Sequence, residues 1–149
     1  NDTVRIYNVH LASNFFKKDD YAFLSDINIK KERIKKGIIN ITKNIIKSSK
    51  IRAEQVIKIK SHIDASPYPI ILCGDFNDTP LSYSYKNLKG ELTDSFNSSA
   101  NGIGETFVKI PFLRIDYILH DSKFKSYEYR KIDKVLSDHY PIVWKMEIL

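Results

Sequence analysis

A single cysteine, Cys73, stands among 149 residues, so the chain can build neither an internal disulfide nor a multi-cysteine zinc site. No apolar run approaches the roughly 18 consecutive residues of a membrane-spanning helix. No Gly-x-Ser-x-Gly elbow is present, which removes that route to a serine nucleophile. Internal repeats and low-complexity tracts are absent too. What remains is ordinary for a folded globular chain: 42% hydrophobic and 28% charged residues argue against disorder. The length fits one domain and leaves little room for two.

Acidic residues are scarce in one place. Between Lys30 and Lys60 lie eleven Lys or Arg and only two Glu, so this segment carries more than the whole formal charge of +6 and the rest is slightly acidic. Such a face can attract nucleic acid or an anionic membrane surface. The simpler reading is a solvated, lysine-rich helix serving as scaffold.

Apolar periodicity supplies the elements. Residues 3–11 alternate, with Arg5, Tyr7, Val9 and Leu11 on one side and Asn8 and His10 on the other, which predicts a strand ending near His10. Residues 14–28 read as a loop. Ile34, Ile38, Ile41 and Ile45, then Val56, Ile59 and Ile63, mark the buried face of a long helical span. An interruption is expected near Ser48-Ser49. Pro67 and Pro69 end this span and lead into the apolar run from Ile70 to Cys73, a buried strand in which Cys73 is a small core residue. Gly74 permits a sharp bend or a close backbone approach. Residues 82–92 suggest a short helix, 92–96 a short strand and 97–105 a loop with plain turns at Gly102 and Gly104. Strands follow at 114–119, 127–132 and 142–148. One strand, a long helix and then a run of strands make the fold class α+β with a mostly antiparallel sheet.

Four polar groupings fall at strand ends: Asn8/His10, Asp75/Asn77, Asp116 and Asp138/His139. Asp75 and Asn77 are two residues apart, so an extended chain points both to one side. Asp116 sits in an apolar strand and therefore needs a partner. Carboxylates with an amide and imidazoles, but no evident protein nucleophile, favour metal-assisted attack by water. Few carboxylates suit Mg²⁺ better than zinc, and the spacing after Asp75 fails as an EF-hand loop. A lone histidine such as His10 reads at this level as structural.

The ordered set Asn8-Val9-His10-Leu11, Gly74-Asp75-Phe76-Asn77, Arg114-Ile115-Asp116-Tyr117-Ile118 and Ser137-Asp138-His139 resembles the endonuclease/exonuclease/phosphatase superfamily, including its uncharacterised bacterial members. The resemblance implies a four-layer α/β-sandwich and a Mg²⁺-dependent (or Mn²⁺-dependent) phosphoesterase, foremost a nuclease-like phosphodiesterase. By the same resemblance Asp75 orients or deprotonates the attacking water, and Asn77 holds that water or a phosphate oxygen. His139 contacts the scissile phosphate, Asp116 fixes the His139 tautomer, and Asp138 lies near the metal. His10 contacts the phosphate and Asn8 supports it, which reverses the structural reading of His10.

In that superfamily a metal-binding glutamate lies upstream of the Asn-x-His strand, whereas the seven residues before Asn8 contain no Glu. The expectation is therefore that residues 1–149 form a single but incomplete domain, the C-terminal part with the N-terminal portion missing, nearly inactive alone. Incomplete sheet edges would favour self-association. The substrate class stays open among nucleic acid, lipid and small-molecule phosphoesters. The alternative function is a non-catalytic phosphate-ligand or partner-binding module on a degenerate form of the same fold. One cysteine fits a cytoplasmic or an exported bacterial domain equally.

Overall fold

A computed structural model describes residues 3–18, 20–21 and 31–149, with side chains from residue 37 onward in the last span. Much of the loop expected over 14–28, and the side chain of Ile34, lie outside the described residues. The elements are β1 (Arg5–His10), α1 (Lys31–Asp64), β2 (Ile70–Asp75), α2 (Tyr83–Lys89), β3 (Thr93–Asp94), α3 (Ser95–Ser99), β4 (Asp116–His120), β5 (Phe124–Lys131) and β6 (Ile142–Ile148).

β2 is the centre of a four-stranded sheet ordered β1-β2-β4-β3. Its Ile70, Ile71 and Leu72 are all buried, as a strand covered on both faces requires. β1 pairs parallel with β2, a connection that needs a long crossover, and α1 provides it. The β2–β4, β3–β4 and β5–β6 pairings are antiparallel, so the mostly antiparallel α+β expectation holds. One apolar cluster joins α1 (Val56, Ile63) and α2 (Tyr85, Leu88) to the sheet through Leu72, Tyr117 and Leu119.

α1 is continuous, without the break expected at Ser48-Ser49. Ser48 is fully buried, and its one hydroxyl hydrogen is shared among three acceptors within 3.0 Å, the Asn44 and Ile45 carbonyls of its own helix and Asn14 Oδ1. That side chain satisfies itself on the preceding turn and leaves the helical ladder intact. The predicted isoleucine face also needs correction. Ile41 is buried, but Ile38 and Ile45 are exposed, and the inward row runs Ile41, Ser48, Arg52, Val56 and Ile63. At 1.5 Å per residue the helix is about 51 Å long, against about 20 Å for a six-residue strand. Its first half therefore overhangs the sheet.

The strand expected at 92–96 stops at Asp94, whose carboxylate caps α3 by accepting from Phe96 N at 3.0 Å. Phe96 and the start of the expected loop are thus helical. Cys73 is half-buried, its Sγ 3.4 Å from the Tyr7 carbonyl.

β5 and β6 form a separate ribbon. It is fastened to β4 by His120, which stacks on Trp144 at 4.6 Å, and to the 105–107 segment by Lys131 Nζ, 2.6 Å from Glu105 Oε1. The Lys131 ammonium holds the Glu105 carboxyl below its ordinary value. A depressed acid contributes stability above the unfolded carboxyl range and loses it as pH falls through the folded value. For so exposed a pair the contribution is under about 1 kcal/mol. Urea midpoints of Glu105→Gln should accordingly lie slightly below the parent at pH 7 and converge on it near pH 3.

Candidate active site

Strand register assembles the first three groups. His10 is the cross-strand neighbour of Asp75, and Asp75 of Asp116, so three adjacent strands present them in a row at one end of the sheet. The arrangement needs Gly74. A Cβ there would lie 1.9 Å from the Val9 carbonyl oxygen, and the residue has φ +139°. The close backbone approach anticipated for Gly74 is therefore an approach to β1 itself.

His139 arrives from the loop before β6 through a single antiparallel bridge to Phe107. Tyr140 N donates to Thr106 O at 2.7 Å, and Val108 N to Asp138 O at 2.9 Å. Thr106 is fully buried, and its hydroxyl accepts from both Ile115 N and Asp116 N at 3.1 Å. One threonine thus ties the loop carrying His139 to the strand carrying Asp116. His139 Nδ1 stands 2.8 Å from Asp116 Oδ2, the partner that Asp116 required. An ionised carboxylate only accepts, so Nδ1 carries the proton and Nε2 is left facing Asp75 Oδ2 at 3.8 Å. His10 Nε2 lies 3.5 Å from the same oxygen, with its ring 74% exposed.

Asp75 and Asn77 do share one side, but through a turn and not an extended strand. Phe76 is fully buried, and Asn77 adopts φ +51°. Asn77 N donates to Asp75 Oδ1 at 2.7 Å, and its Nδ2 donates to Asp75 Oδ2 at 2.8 Å and to Leu11 O at 3.0 Å. Both amide hydrogens are thereby engaged. What Asn77 has left is Oδ1, which can accept from a water but cannot donate to a phosphate oxygen. The Asp75 carboxyl is pushed above its ordinary value, first by burial; the Asn77 N–H opposes the shift and the Asp116 charge adds to it.

These groups line a cleft of about 440 Å³ together with Ser13, Tyr21, Phe107, Ser137 and Asp138. Asn8 is exposed on the His10 face of β1 and does not line it. Asp138 lies in the wall with its carboxylate 2.7 Å from Lys109 Nζ, and this ion pair holds its carboxyl below the usual value. Asp75, Asp116 and His139 each bring one ligand atom within 4.8 Å of the others. Two carboxylates and an imidazole suit a divalent cation that completes its shell with water. The donor set fits.

Under the Asn77 turn lies a network that the sequence reading missed. Arg52 is 1% exposed; its Nε is 3.0 Å from Asp78 Oδ2, and its Nη1 donates to Ala12 O and Asn14 Oδ1. Asn14 Nδ2 in turn donates to the Asn77 carbonyl. The available signal was position: Arg52 precedes Val56, Ile59 and Ile63 by four, seven and eleven residues, on their apolar face. Arg52→Met would leave Asp78 without its buried cation, and breaking such a pair costs about 3–5 kcal/mol. A thermal melt of this variant should show that loss.

The sequence profile of the Endonuclease/Exonuclease/phosphatase family matches residues 8–139. The chain belongs to this family. Solved structures agree on the fold. A family protein from Bacteroides vulgatus superposes with a TM-score of 0.59 at 24% identity, over 68% of this chain and 45% of its own. A Bacteroides thetaiotaomicron mannosyl-6-phosphatase gives 0.51 at 24% identity, over 71% and 46%. The human Nocturnin catalytic domain with bound sulfate gives 0.52 at 18%, over 68% and 41%. The chain thus spans less than half the length of these family structures. No curated protein matches it.

Proposed function

We propose that the chain supplies the phosphate-handling part of a divalent-metal-dependent phosphoesterase, with phosphodiester hydrolysis by activated water as the leading reaction. The observation that carries this reading is the convergence of Asp75, Asp116 and His139 within 4.8 Å in one cleft. Family membership and the phosphatase among its structural relatives support it. In this reading residues 1–149 are one incomplete domain of the family fold, and little activity is expected of them alone.

A bound Mg²⁺ or Mn²⁺ would be held by Asp75 and Asp116 and would supply charge neutralisation at the phosphate. The remaining work falls to side chains. Asp75 orients the attacking water and takes its proton. Asn77 steadies that water through Oδ1 and locks the Asp75 rotamer. His139 acts as an imidazolium: Nδ1–H is held on Asp116, and Nε2–H donates to the phosphate. His10, with Asn8 behind it, contacts the phosphate from the exposed side. Asp138 adds negative charge near the metal while paired to Lys109.

The full natural protein carrying this chain should hydrolyse bis(4-nitrophenyl) phosphate with Mg²⁺ or Mn²⁺, stop in EDTA and recover on adding metal. Activity that persists in EDTA would overturn the mechanism. Because one relative is named a sugar phosphatase, 4-nitrophenyl phosphate belongs in the same assay. Preference for it would move the reading from diester to monoester. Phosphate binding without turnover of either would favour the binding module.

A further inference from the structure

Beside the cleft lies a second cavity of about 370 Å³, which shares Tyr21, Asn77 and Phe107 with it as a common wall. A volume of this size falls in the range of ligand pockets, about 300–1,000 Å³. Six of its ten other lining residues are apolar: Phe16, then Ile41 and Ile45 from α1, and Ile110, Leu113 and Ile115 from the segment leading into β4. The exposure of Ile45 now has a reason, since it faces this space.

The Arg52, Asn14 and Asp78 side chains in the wall are engaged by one another and by their neighbours. Arg52 is engaged by Asp78, Ala12, Asn14 and Ser49. Asn14 donates to Asn77 O and accepts from Ser48 and Arg52. Asp78 accepts from Arg52, Ser84 and Thr79 N. A sugar or nucleobase entering here would bury hydrogen-bonding groups with few partners, which is costly. A hydrocarbon would lose nothing.

We propose that this cavity receives an apolar ester arm of the substrate, an alkyl or aryl group on the phosphate held in the neighbouring cleft. This inference rests on the phosphoesterase reading and names the substrate class: phosphoesters of hydrophobic alcohols, in preference to nucleotides. Phe107 and Tyr21, which line both spaces, would flank an ester that reaches from the phosphate to the arm.

The test uses 4-nitrophenyl phosphodiesters whose second ester group is methyl, butyl or hexyl, so that the leaving group stays constant. Each methylene buried is worth about a fourfold factor. Butyl should therefore exceed methyl at least about tenfold in kcat/KM, mostly through KM. Ile45→Asp, at an exposed helical position, and Ile110→Asp as a second variant should bring the butyl-to-methyl ratio close to unity. Independently of turnover, the fluorescence of N-phenyl-1-naphthylamine should rise on the unmodified protein and stay low on either variant. Hydrolysis with a flat series, or equal ratios in parent and variants, overturns the inference. If none of the esters is cleaved, the phosphoesterase reading falls, and a probe signal that ignores both substitutions overturns the pocket as well.

Discussion

Asp75→Ala should lower kcat/KM on a phosphodiester by about 10³-fold, within the span of roughly 10²–10⁴ for loss of a general base. The loss has three sources at one residue. The carboxylate that would take the water's proton disappears. Asn77 loses the acceptors of its N–H and of one amide hydrogen, so the φ +51° turn loses its main restraint. His10 and His139 lose the oxygen they both face. Asp116→Asn isolates a different contribution. The Nδ1 partner remains but no longer enforces the tautomer, and one carboxylate of the metal cluster becomes a neutral amide. So kcat should fall and the Mg²⁺ concentration for half-maximal activity should rise, with KM for the ester nearly unchanged. Steady-state kinetics on the full natural protein distinguish the two patterns. An Asp75→Ala enzyme within tenfold of the parent would remove Asp75 from the chemistry.

Gly74→Ala carries the largest expected effect on stability. The added carbon would lie 1.9 Å from Val9 O, 2.8 Å from Val9 C and 2.9 Å from Val9 N. Those atoms are backbone, so no rotamer change relieves the clash. The φ of +139° adds strain for any residue with a Cβ. The only relief is to part β1 from β2, which breaks the parallel ladder and uncovers Leu72 and Leu11 in the core. A cost above about 5 kcal/mol follows, beyond the range of most single substitutions and comparable to the whole stability of a small domain. Loss of a cooperative melt, or failure to accumulate as folded protein, is the expected result. Cys73→Ala is the control, since it removes one half-buried sulfur and should cost about 1 kcal/mol or less. Equal melting of Gly74→Ala and the parent would show that β1 does not pack against β2 in this register.

Much of the site was legible because its parts are local. Strand ends announced themselves through alternation stopping at polar residues, and Gly74 announced either a sharp bend or a close approach, between which only the pairing with β1 decides. The α1 row beyond Val56 was legible for the same reason. Its first half was not. Ile38 and Ile45 follow a helical period as faithfully as Ile59 and Ile63, but a period reports which residues share a face, not whether anything lies beneath it. Ser48-Ser49 misled in the opposite direction, because a serine that bonds to the preceding turn is tolerated inside a helix. Arg52 was hidden by composition, one cation among eleven in a basic segment.

By itself, then, the chain's order of residues determines most of the element types (not the short helix Ser95–Ser99), the polar groups at strand ends, the lack of a serine elbow and the family motif order that points to phosphoester chemistry. Tertiary structure alone decides which of those groups meet. Register puts His10, Asp75 and Asp116 side by side, and the buried Thr106, ten residues before Asp116, brings the distant His139 onto it. It also decides that Asp138 faces Lys109 and that an apolar cavity opens beside the cleft. The physical reason is common to these cases. Side-chain chemistry and periodicity are properties of short stretches, whereas distances between stretches are set by strand pairing and by the overhang of a helix longer than the sheet it crosses.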